Sequence, residues 1–361
     1  MNRFGNIFTL TTFGESHGRA IGGVIDGVPS GFHIRTEAIQ SELDRRRPGS
    51  TPLGTARREN DQIEILSGIY RDITLGSPIG FIIPNTNAHT ADYAEMEHIY
   101  RPSHADYTYD AKYGLRDWRG GGRASARETA CRVAAGAVAR QILAQATQIK
   151  VAAYTSRIGS VAVSDGLKDT EHVYKSPVRC PEPGETEAAM INEVERARTA
   201  GNTVGGMVSC IISGMPAGLG EPLADKLQAM LGAAILGIPA VKGWEYGSGM
   251  QSASAYGSET ADIFTSDNGR IRTLSNHSGG IQGGISNGEE IYFNVAFKPA
   301  PTMMRDIRTV DDQGHTAILH AQGRHDPCVV PRAVPVVEAM TCITLLDALL
   351  MHRAGGLRTS L

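Results

Sequence analysis

The stretch VPVVEAMTCITLLDALLM, residues 334–351, indicates how this chain folds. Its residues are apolar almost all round a helix of 3.6 residues per turn. A helix that is apolar on every side is buried between other layers instead of lying on a surface. We therefore expect a helix from Val334 to Met351 in the interior of the protein.

Four further segments have helical spacing, and each has recognisable ends. Ile39 and Leu43 lie four residues apart ahead of Pro48, and Ser125 followed by Glu128 has the spacing of a capping box. The predicted helices are Glu37–Arg46, a helix from the Ser125 cap to Ala146, a more polar helix Glu185–Ala200, and Leu223–Leu236 after Pro222.

Three stretches are typical of strands: GFIIP (80–84), GMVSCIISGM (206–215) and EIYFNVAFKP (290–299). The last alternates apolar residues from Ile291 to Phe297 with residues of the other face, so one side should be buried. Strands and helices do not alternate in βαβ units and no GxGxxG follows the first strand, which argues against a dinucleotide-binding Rossmann domain. We predict an α+β protein of one domain, residues 1–361, with sheets packed on a layer of long helices.

The composition is that of an ordinary globular protein, with 41% hydrophobic and 20% charged residues. The sequence has no uninterrupted apolar run of about 18 residues, so we expect no membrane span. The N-terminal segment lacks the features of a secretory signal. The five cysteines are scattered without a CxxC, which predicts neither a metal site nor a disulfide framework. We expect a cytoplasmic protein with reduced thiols and a C-terminal tail, 353–361, that frays.

Arginines are clustered although the net charge is only −3. The clusters are Arg45, Arg46 and Arg47; Arg57 and Arg58; and Arg116, Arg119, Arg123, Arg127 and Arg132. Arginine presents a fixed fork of donors to phosphate and carboxylate, so local clusters in a near-neutral protein favour a small polyanion over nucleic acid. The alternative is a set of solvated helix faces with ion pairs.

Several loops carry groups that can move protons or hold anions. GESHG (14–18) sets Ser16 and His17 between glycines, the alternative being a turn with a solvated histidine. WRGGGRASARETA (118–130) leads three glycines into a helix start, where an anion binds readily, or is simply a flexible turn. RPSHAD holds His104, SNHSGGIQGGISNG (275–288) is a second glycine-rich loop, and GRHDPC holds Asp326. Together they predict one composite active site for a multiply charged small molecule.

Three long motifs resemble the chorismate synthase family: GESHGRAIGGVIDGVP (14–29), GRASARETACRVAAGAV (122–138) and RHDPCVVPRAVPVVEAM (324–340). The resemblance covers nearly the whole chain. It implies a β-α-β sandwich assembled as a homotetramer, and a 1,4-elimination that converts 5-enolpyruvylshikimate-3-phosphate to chorismate. The family requires reduced FMN for this reaction, although there is no net redox change. Two carboxylates and a phosphate on the substrate, with a further phosphate on FMN, account for the arginines.

The resemblance also implies roles for residues that match the motifs. His17 would protonate or hold the departing phosphate, His104 would stabilise the reduced flavin, and Asp326 would act with flavin N5 in removing the C6 proton. Ser16 and Ser125 are implied as relays or anion contacts, and Arg46 as a contact of phosphorylated ligand. The implied FMN contacts are Arg123, Ala124, Ser125, Pro239, Ala240, Gly283, Lys298, Pro299, Ala300, Pro301, Thr302 and Arg324.

The chain departs from the family pattern at two places. Pro52 stands where many relatives carry an arginine, whose contact Arg57 or Arg58 can supply, and Ala300-Pro301-Thr302 stands where relatives often have Thr-Ser-Ser. The length favours the monofunctional kind over relatives that also reduce flavin with NAD(P)H. Two other functions stay open from the residues: a flavin oxidoreductase with net hydride transfer, and a polyanion-binding protein that is not an enzyme.

Overall fold

In a computed structural model of the chain, the residues described are 2–54, 59–86, 90–164, 166–167, 169–320 and 326–355. They contain eight α-helices: α1 (Thr36–Arg46), α2 (Asp106–Tyr113), α3 (Thr129–Ala146), α4 (Thr170–Lys175), α5 (Glu185–Thr199), α6 (Leu227–Leu236), α7 (Gly257–Thr260) and α8 (Val330–Gly355). Short 3₁₀ segments cover Thr90–Glu97, Arg119–Ala124, Ala126–Glu128 and Gly249–Ser254.

The same residues form 18 strands, most of them short. They are β1 (Arg3–Phe4), β2 (Thr9–Phe13), β3 (Ala20–Asp26), β4 (Glu64–Ile65), β5 (Ile69–Tyr70), β6 (Ile73–Thr74), β7 (Ile79–Pro84), β8 (Lys150–Ile158), β9 (Val161–Ala162), β10 (Gly206–Ser213), β11 (Val241–Tyr246), β12 (Phe264–Asp267), β13 (Arg270–Thr273), β14 (Ile281–Gln282), β15 (Ile285–Ser286), β16 (Ile291–Phe297), β17 (Asp306–Val310) and β18 (Thr316–His320). Two antiparallel sheets of five strands run in the orders β1-β2-β3-β7-β4 and β11-β16-β10-β8-β9.

Two long helices lie between these sheets. Helix α8 packs on β8 and β10 of the second sheet, and α3 packs on β2 and β3 of the first. The two helices pack tightly against each other, because a Cβ atom at Gly136 of α3 would lie 2.3 Å from that of Ala339 in α8. The α+β class and the helix layer between antiparallel sheets are confirmed.

Helix α8 is longer than its prediction at both ends. It begins at Val330 instead of Val334, because Pro331 in its first turn needs no amide partner there and Pro335 follows one turn later. It is the one described helix long and apolar enough to cross a membrane, yet 89% of its apolar window is buried inside the protein. It is therefore a core helix by its surroundings. Residues 353–355 are helical, and 356–361 lie outside the described residues.

The other helix predictions hold except at two starts. Helix α6 begins at Leu227 and not at Leu223, because Leu223 and Asp225 are paired in a turn ahead of it. The predicted capping box is wrong in part. Ser125 does accept a 3.4 Å hydrogen bond from the amide of Arg127, but the Glu128 carboxylate accepts from Thr12 and Arg132 instead of returning to Ser125. Helix α3 accordingly begins at Thr129.

Strand β16 matches its prediction closely. Ile291, Phe293, Val295 and Phe297 are buried, and the residues between them are half-buried. The strand lies inside its sheet, between β10 and β11, and its end delivers Lys298 and the following residues to the site described next.

Candidate active site

A cavity of about 510 Å³ opens at one end of the helix layer. Its walls come from the start of α8, the residues after β16, the turn after α6, and the segments 101–105 and 120–127. This volume lies in the range of roughly 300–1,000 Å³ that small-molecule and cofactor sites occupy. Helix starts and strand ends far apart in sequence thus meet at one site.

Most residues that the sequence singled out lie in the wall of this cavity. They are Arg46, His104, Ala124, Ser125, Pro239, Ala240, Lys298, Ala300, Pro301, Thr302 and Asp326. Ala300-Pro301-Thr302 therefore lines the cavity even though it has fewer hydroxyls than the family pattern. The carbonyl of Ala300 is held by a 2.8 Å hydrogen bond from the Thr203 hydroxyl.

His17 lies just behind this wall, against two residues that line it. Its ring contacts the Tyr93 ring edge to face at 5.1 Å, and it lies directly against Gly120. The buried Ser16 hydroxyl donates to the Arg119 carbonyl and lies 3.2 Å from Nδ1 of His17. Since the hydroxyl proton is used, Ser16 accepts from a protonated Nδ1, and this contact fixes the orientation of the ring.

His104 is fixed by a buried carboxylate. Its Nδ1 lies 2.8 Å from Asp106, which also accepts two 2.7 Å hydrogen bonds from the Arg101 guanidinium. Although burial opposes ionisation, the hydrogen bonds from Arg101 and His104 hold the pKa of Asp106 below its usual value. Asp106 is therefore a carboxylate, so Nδ1 of His104 carries the proton. Burial, helped by the charge of Arg101, lowers the pKa of His104 and favours the neutral ring.

Asp326 is held by Arg332, which the sequence analysis did not single out. Nη1 of Arg332 donates to the Asp326 carboxylate, and its Nε donates to the Arg46 carbonyl over 3.2 Å. Arg332 lies in the first turn of α8, directly after Pro331, so a predicted helix start at Val330 would have placed it at the helix end that faces the site. An acid and two cations therefore share this part of the wall.

Arg46 lies beneath the cavity and is almost fully enclosed. Its guanidinium donates to Asp61 at 2.8 Å, to the Thr129 hydroxyl and to the Ala126 carbonyl. Burial, opposed by Asp61, lowers the pKa of Arg46 to about 10, so it stays cationic at neutral pH. Arg127 also binds Asp61, so the cluster keeps a net positive charge. Asp61 is 15 residues from Arg46 and carries no local motif, which is why the sequence missed it.

Most arginines of the predicted clusters form ion pairs, as the alternative expected, but Arg45, Arg46, Arg116 and Arg127 are largely buried instead of lying on solvated helix faces. Arg116 pairs with Asp110, Arg119 with Asp117 and Arg132 with Glu128. Among the described residues, the arginines and lysines that line the cavity are Arg46, Arg101, Arg127, Lys298 and Arg332. Burial lowers the pKa of Lys298, whose Nζ donates to the Ser103 carbonyl. Arg57 and Arg58 lie outside the described residues.

The other predicted contacts lie elsewhere. Arg123 lines a neighbouring hollow of about 290 Å³ that shares Ala124 and Pro239 with the cavity, and it donates to Thr12 and to the Gly14 carbonyl. Pro299 stands between two cavity residues and packs at Gly205. Gly283 lines a separate hollow beside Trp244 and Tyr246. Arg324 lies outside the described residues.

Pro52 takes no part in the cavity wall that the described residues form. Its carbonyl accepts a 3.2 Å hydrogen bond from Arg198 at the surface. The ligand contact that the resemblance implied for an arginine at this position therefore has no counterpart from Pro52 itself.

Comparison with known proteins decides which family this arrangement represents. The model of the family described as chorismate synthase matches residues 8–350. The chain belongs to the chorismate synthase family. Chorismate synthase of Parabacteroides distasonis is 54% identical over 355 residues, covering 98% of this chain and 99% of the relative. That of Bacteroides fragilis is 52% identical over 354 residues, covering 98% of each.

A solved structure described as "Crystal Structure of Chorismate Synthase" superimposes with a TM-score of 0.76 and 31% identity, over 98% of this chain and 94% of that one. The chain is therefore an enzyme, a carbon–oxygen lyase that eliminates phosphate to give chorismate in the shikimate pathway. This confirms the resemblance read from the three motifs.

Proposed function

We propose that the cavity binds reduced FMN beside 5-enolpyruvylshikimate-3-phosphate and that phosphate is eliminated there. One observation carries the proposal: His104, Asp326 and Arg46, drawn from three distant motifs, line a single cavity with His17 directly behind its wall. Acid–base groups, buried cations and a concave site of this volume together are what an active site for an anionic small molecule requires.

The lining fits a flavin and a polyanionic substrate. Ile238, Phe297, Val329 and Val336 give the cavity an apolar side that suits a planar ring. The lining also contains the cationic residues Arg101, Arg332 and Lys298, which suit phosphate and carboxylate groups. When bound, reduced FMN supplies electron density to an elimination without net redox change. Ala124, Ser125, Pro239, Ala240 and residues 298–302 would hold it.

His17 is proposed as the acid of the elimination. Ser16 accepts a hydrogen bond from Nδ1–H and orients the ring, so the imidazolium form can give its Nε2 proton to the leaving phosphate and remain as the neutral Nδ1–H tautomer. A charge-assisted hydrogen bond from that nitrogen strengthens as the phosphate departs. Ser16 is therefore proposed to act by orienting His17.

Asp326 is proposed as the carboxylate that takes up the C6 proton. Arg332 donates a hydrogen bond to it and keeps it at the cavity wall. His104 is proposed to present Nε2 to the bound cofactor, with Nδ1 committed to Asp106. The buried Arg46, Arg127 and Asp61 group gives this wall a net positive charge, which favours the phosphate.

An anaerobic assay tests this proposal. Purified protein is mixed with chemically reduced FMN and 5-enolpyruvylshikimate-3-phosphate, and phosphate and chorismate are followed together. We expect phosphate and chorismate to appear in equal amounts. The rate should fall roughly 10²- to 10⁴-fold in His17→Ala, which is the range for removing an acid–base group. His315→Ala, at an exposed hairpin, is the control and keeps full rate. Equal rates in His17→Ala and the parent would refute the assigned role.

We further propose that the enzyme is monofunctional. The assay repeated with oxidised FMN and NADPH should then give no chorismate. Product under those conditions would mean that the chain reduces its own flavin, and the proposal would be wrong.

A cytoplasmic homotetramer of single-domain subunits is also proposed. Its support is a group of large apolar side chains exposed by 63% to 81% in residues 250–274: Met250, Tyr256, Ile263, Phe264, Ile271 and Leu274. Exposed apolar groups of this size favour burial against another copy. Light scattering of the purified protein measures the mass, and a monomer at micromolar concentration would contradict the assembly.

A further inference from the structure

Residues 119–122, here called the glycine strap, run beside both histidines of the site. Gly120, Gly121 and Gly122 have φ of +62°, +86° and +52°, which glycine adopts without the cost that a Cβ atom adds. The sequence suggested a cradle for an anion at this point. The atoms nearest to a Cβ placed on either of the first two glycines belong to imidazole rings.

Successive residues of the strap contact different rings. A Cβ atom at Gly120 would lie 2.1 Å from Cε1 and 2.4 Å from Nδ1 of His17. A Cβ atom at Gly121 would lie 3.0 Å from Cε1 and 3.1 Å from Nε2 of His104. The backbone itself is therefore the surface on which each ring rests, and the two rings are separated by one peptide unit of this loop.

The strap is anchored at both ends. The Asp117 carboxylate accepts from the amide and the Nε of Arg119. The Arg119 carbonyl accepts from the Ser16 hydroxyl at 3.2 Å, and the Gly122 carbonyl accepts from the amides of Ser16 and Ser125. These bonds tie the loop of His17 to the segment that leads into α3, so the strap cannot shift without moving both.

We propose that the glycine strap is a positioning element that sets the spacing and orientation of the two imidazoles. Gly120 acts through His17 and Gly121 acts through His104. The inference rests on the proposed roles of those histidines. It explains why glycine is needed at two successive positions, since a side chain at either would displace a ring.

Alanine substitutions with a matched control test the strap. Gly120→Ala and Gly121→Ala should lower kcat by between about tenfold and 100-fold with KM nearly unchanged, as for a misplacement of about 1 Å. Gly120→Ala should lower kcat more than Gly121→Ala, because its Cβ atom would lie closer to an imidazole ring. Gly114→Ala is the control: it ends α2 with φ of +72° and its Cβ would meet nothing within 4 Å. It carries the same backbone strain and should keep full turnover.

Double variants separate positioning from general distortion. In the His17→Ala background, Gly120→Ala should cause no further loss while Gly121→Ala keeps its own, and the reverse should hold in His104→Ala. A further loss of kcat when Gly120→Ala is added to His17→Ala would overturn the proposal that Gly120 acts through His17. If His17→Ala itself leaves turnover intact, the proposed role of His17 fails instead.

Folding gives a second measure of the same contact. If Gly120→Ala does not fold, the double variant Gly120→Ala/His17→Ala, which lacks the imidazole ring, should regain a cooperative thermal transition. Failure to restore it would show that backbone strain and not the ring is decisive, and would also overturn the proposal.

Discussion

The Asp106 carboxylate joins Arg101 to His104. It accepts from Nδ1 of His104 at 2.8 Å on one side and from the Arg101 guanidinium at 2.7 Å on the other. All three side chains are largely buried, with 2% to 14% of each exposed. The arrangement holds the ring in one tautomer and turns Nε2 toward Gly121.

Asp106→Asn should impair turnover and shift the titration of His104. An amide no longer stabilises the imidazolium and leaves the Arg101 charge uncompensated, so the already low pKa of His104 should fall further. We expect kcat to fall about tenfold or more. This loss should be smaller than the roughly 10²- to 10⁴-fold loss that follows removal of an acid–base group. NMR titration of the His104 ring measures the pKa, and an upward shift would contradict this account.

The low pKa of His104 also predicts how stability depends on pH. The unfolded chain binds a proton near pH 6.5 that the folded ring resists, so this contribution is complete above about pH 6.5 and is lost as pH falls toward the folded pKa. Arg101 and Lys298 strengthen the effect and Asp106 opposes it. Urea unfolding of the parent and of His104→Gln between pH 8 and 5 measures the difference. We expect a flatter profile in the variant, and parallel profiles would disprove the assignment.

The sequence predicts the elements whose signal is local. The alternation of β16 and the apolar circumference of α8 need no knowledge of the partner, and both are confirmed. The first residues of helices are predicted less accurately. Turns and prolines set where α6 and α8 begin, and these positions differ from the start of the apolar periodicity. Local signals thus define the middle of an element better than its ends.

The site is only partly predictable for a related reason. Motifs marked His17, His104 and Asp326 as chemical groups, but the partner of each is a matter of tertiary structure. Arg332 contacts the Arg46 carbonyl across 286 residues, and Asp61 pairs with Arg46 from a segment without a motif. A cluster of arginines in sequence likewise does not tell which members pair with carboxylates and which line a cavity.

Glu338 of α8 should be essential for stability. It is fully enclosed and accepts from Arg45 at 2.8 Å, from Arg140 at 2.9 Å and from the Ala153 amide at 2.9 Å. Although burial opposes ionisation, the charges of Arg45 and Arg140 hold the pKa of Glu338 below its usual value. Glu338→Gln removes the buried anion that Arg45 and Arg140 share and leaves Arg45 with Glu42 alone, so it should cost about 3–5 kcal/mol in the free energy of unfolding.

Urea unfolding at pH 7 tests the Glu338 prediction against a surface pair. Glu195 and Arg198 lie one turn apart on α5, both about two-fifths exposed, so Glu195→Gln should cost less than about 1 kcal/mol. Similar losses in the two variants would show that burial does not set the strength of the Glu338 pairs.

The contact between α3 and α8 should tolerate no side chain at Gly136. A Cβ atom there would lie 2.3 Å from Cβ and 2.4 Å from Cα of Ala339, so the helices must separate to admit it. Alanine is the better helix former by about 1 kcal/mol, but overpacking costs typically 1–3 kcal/mol and here meets backbone. Gly136→Ala should therefore lower the thermal midpoint. Gly232→Ala in α6, where the nearest atom of Trp244 lies at 3.4 Å, is the control and should be neutral or stabilising. A midpoint for Gly136→Ala at or above that of the parent would mean that the two central helices are less tightly packed than these distances require.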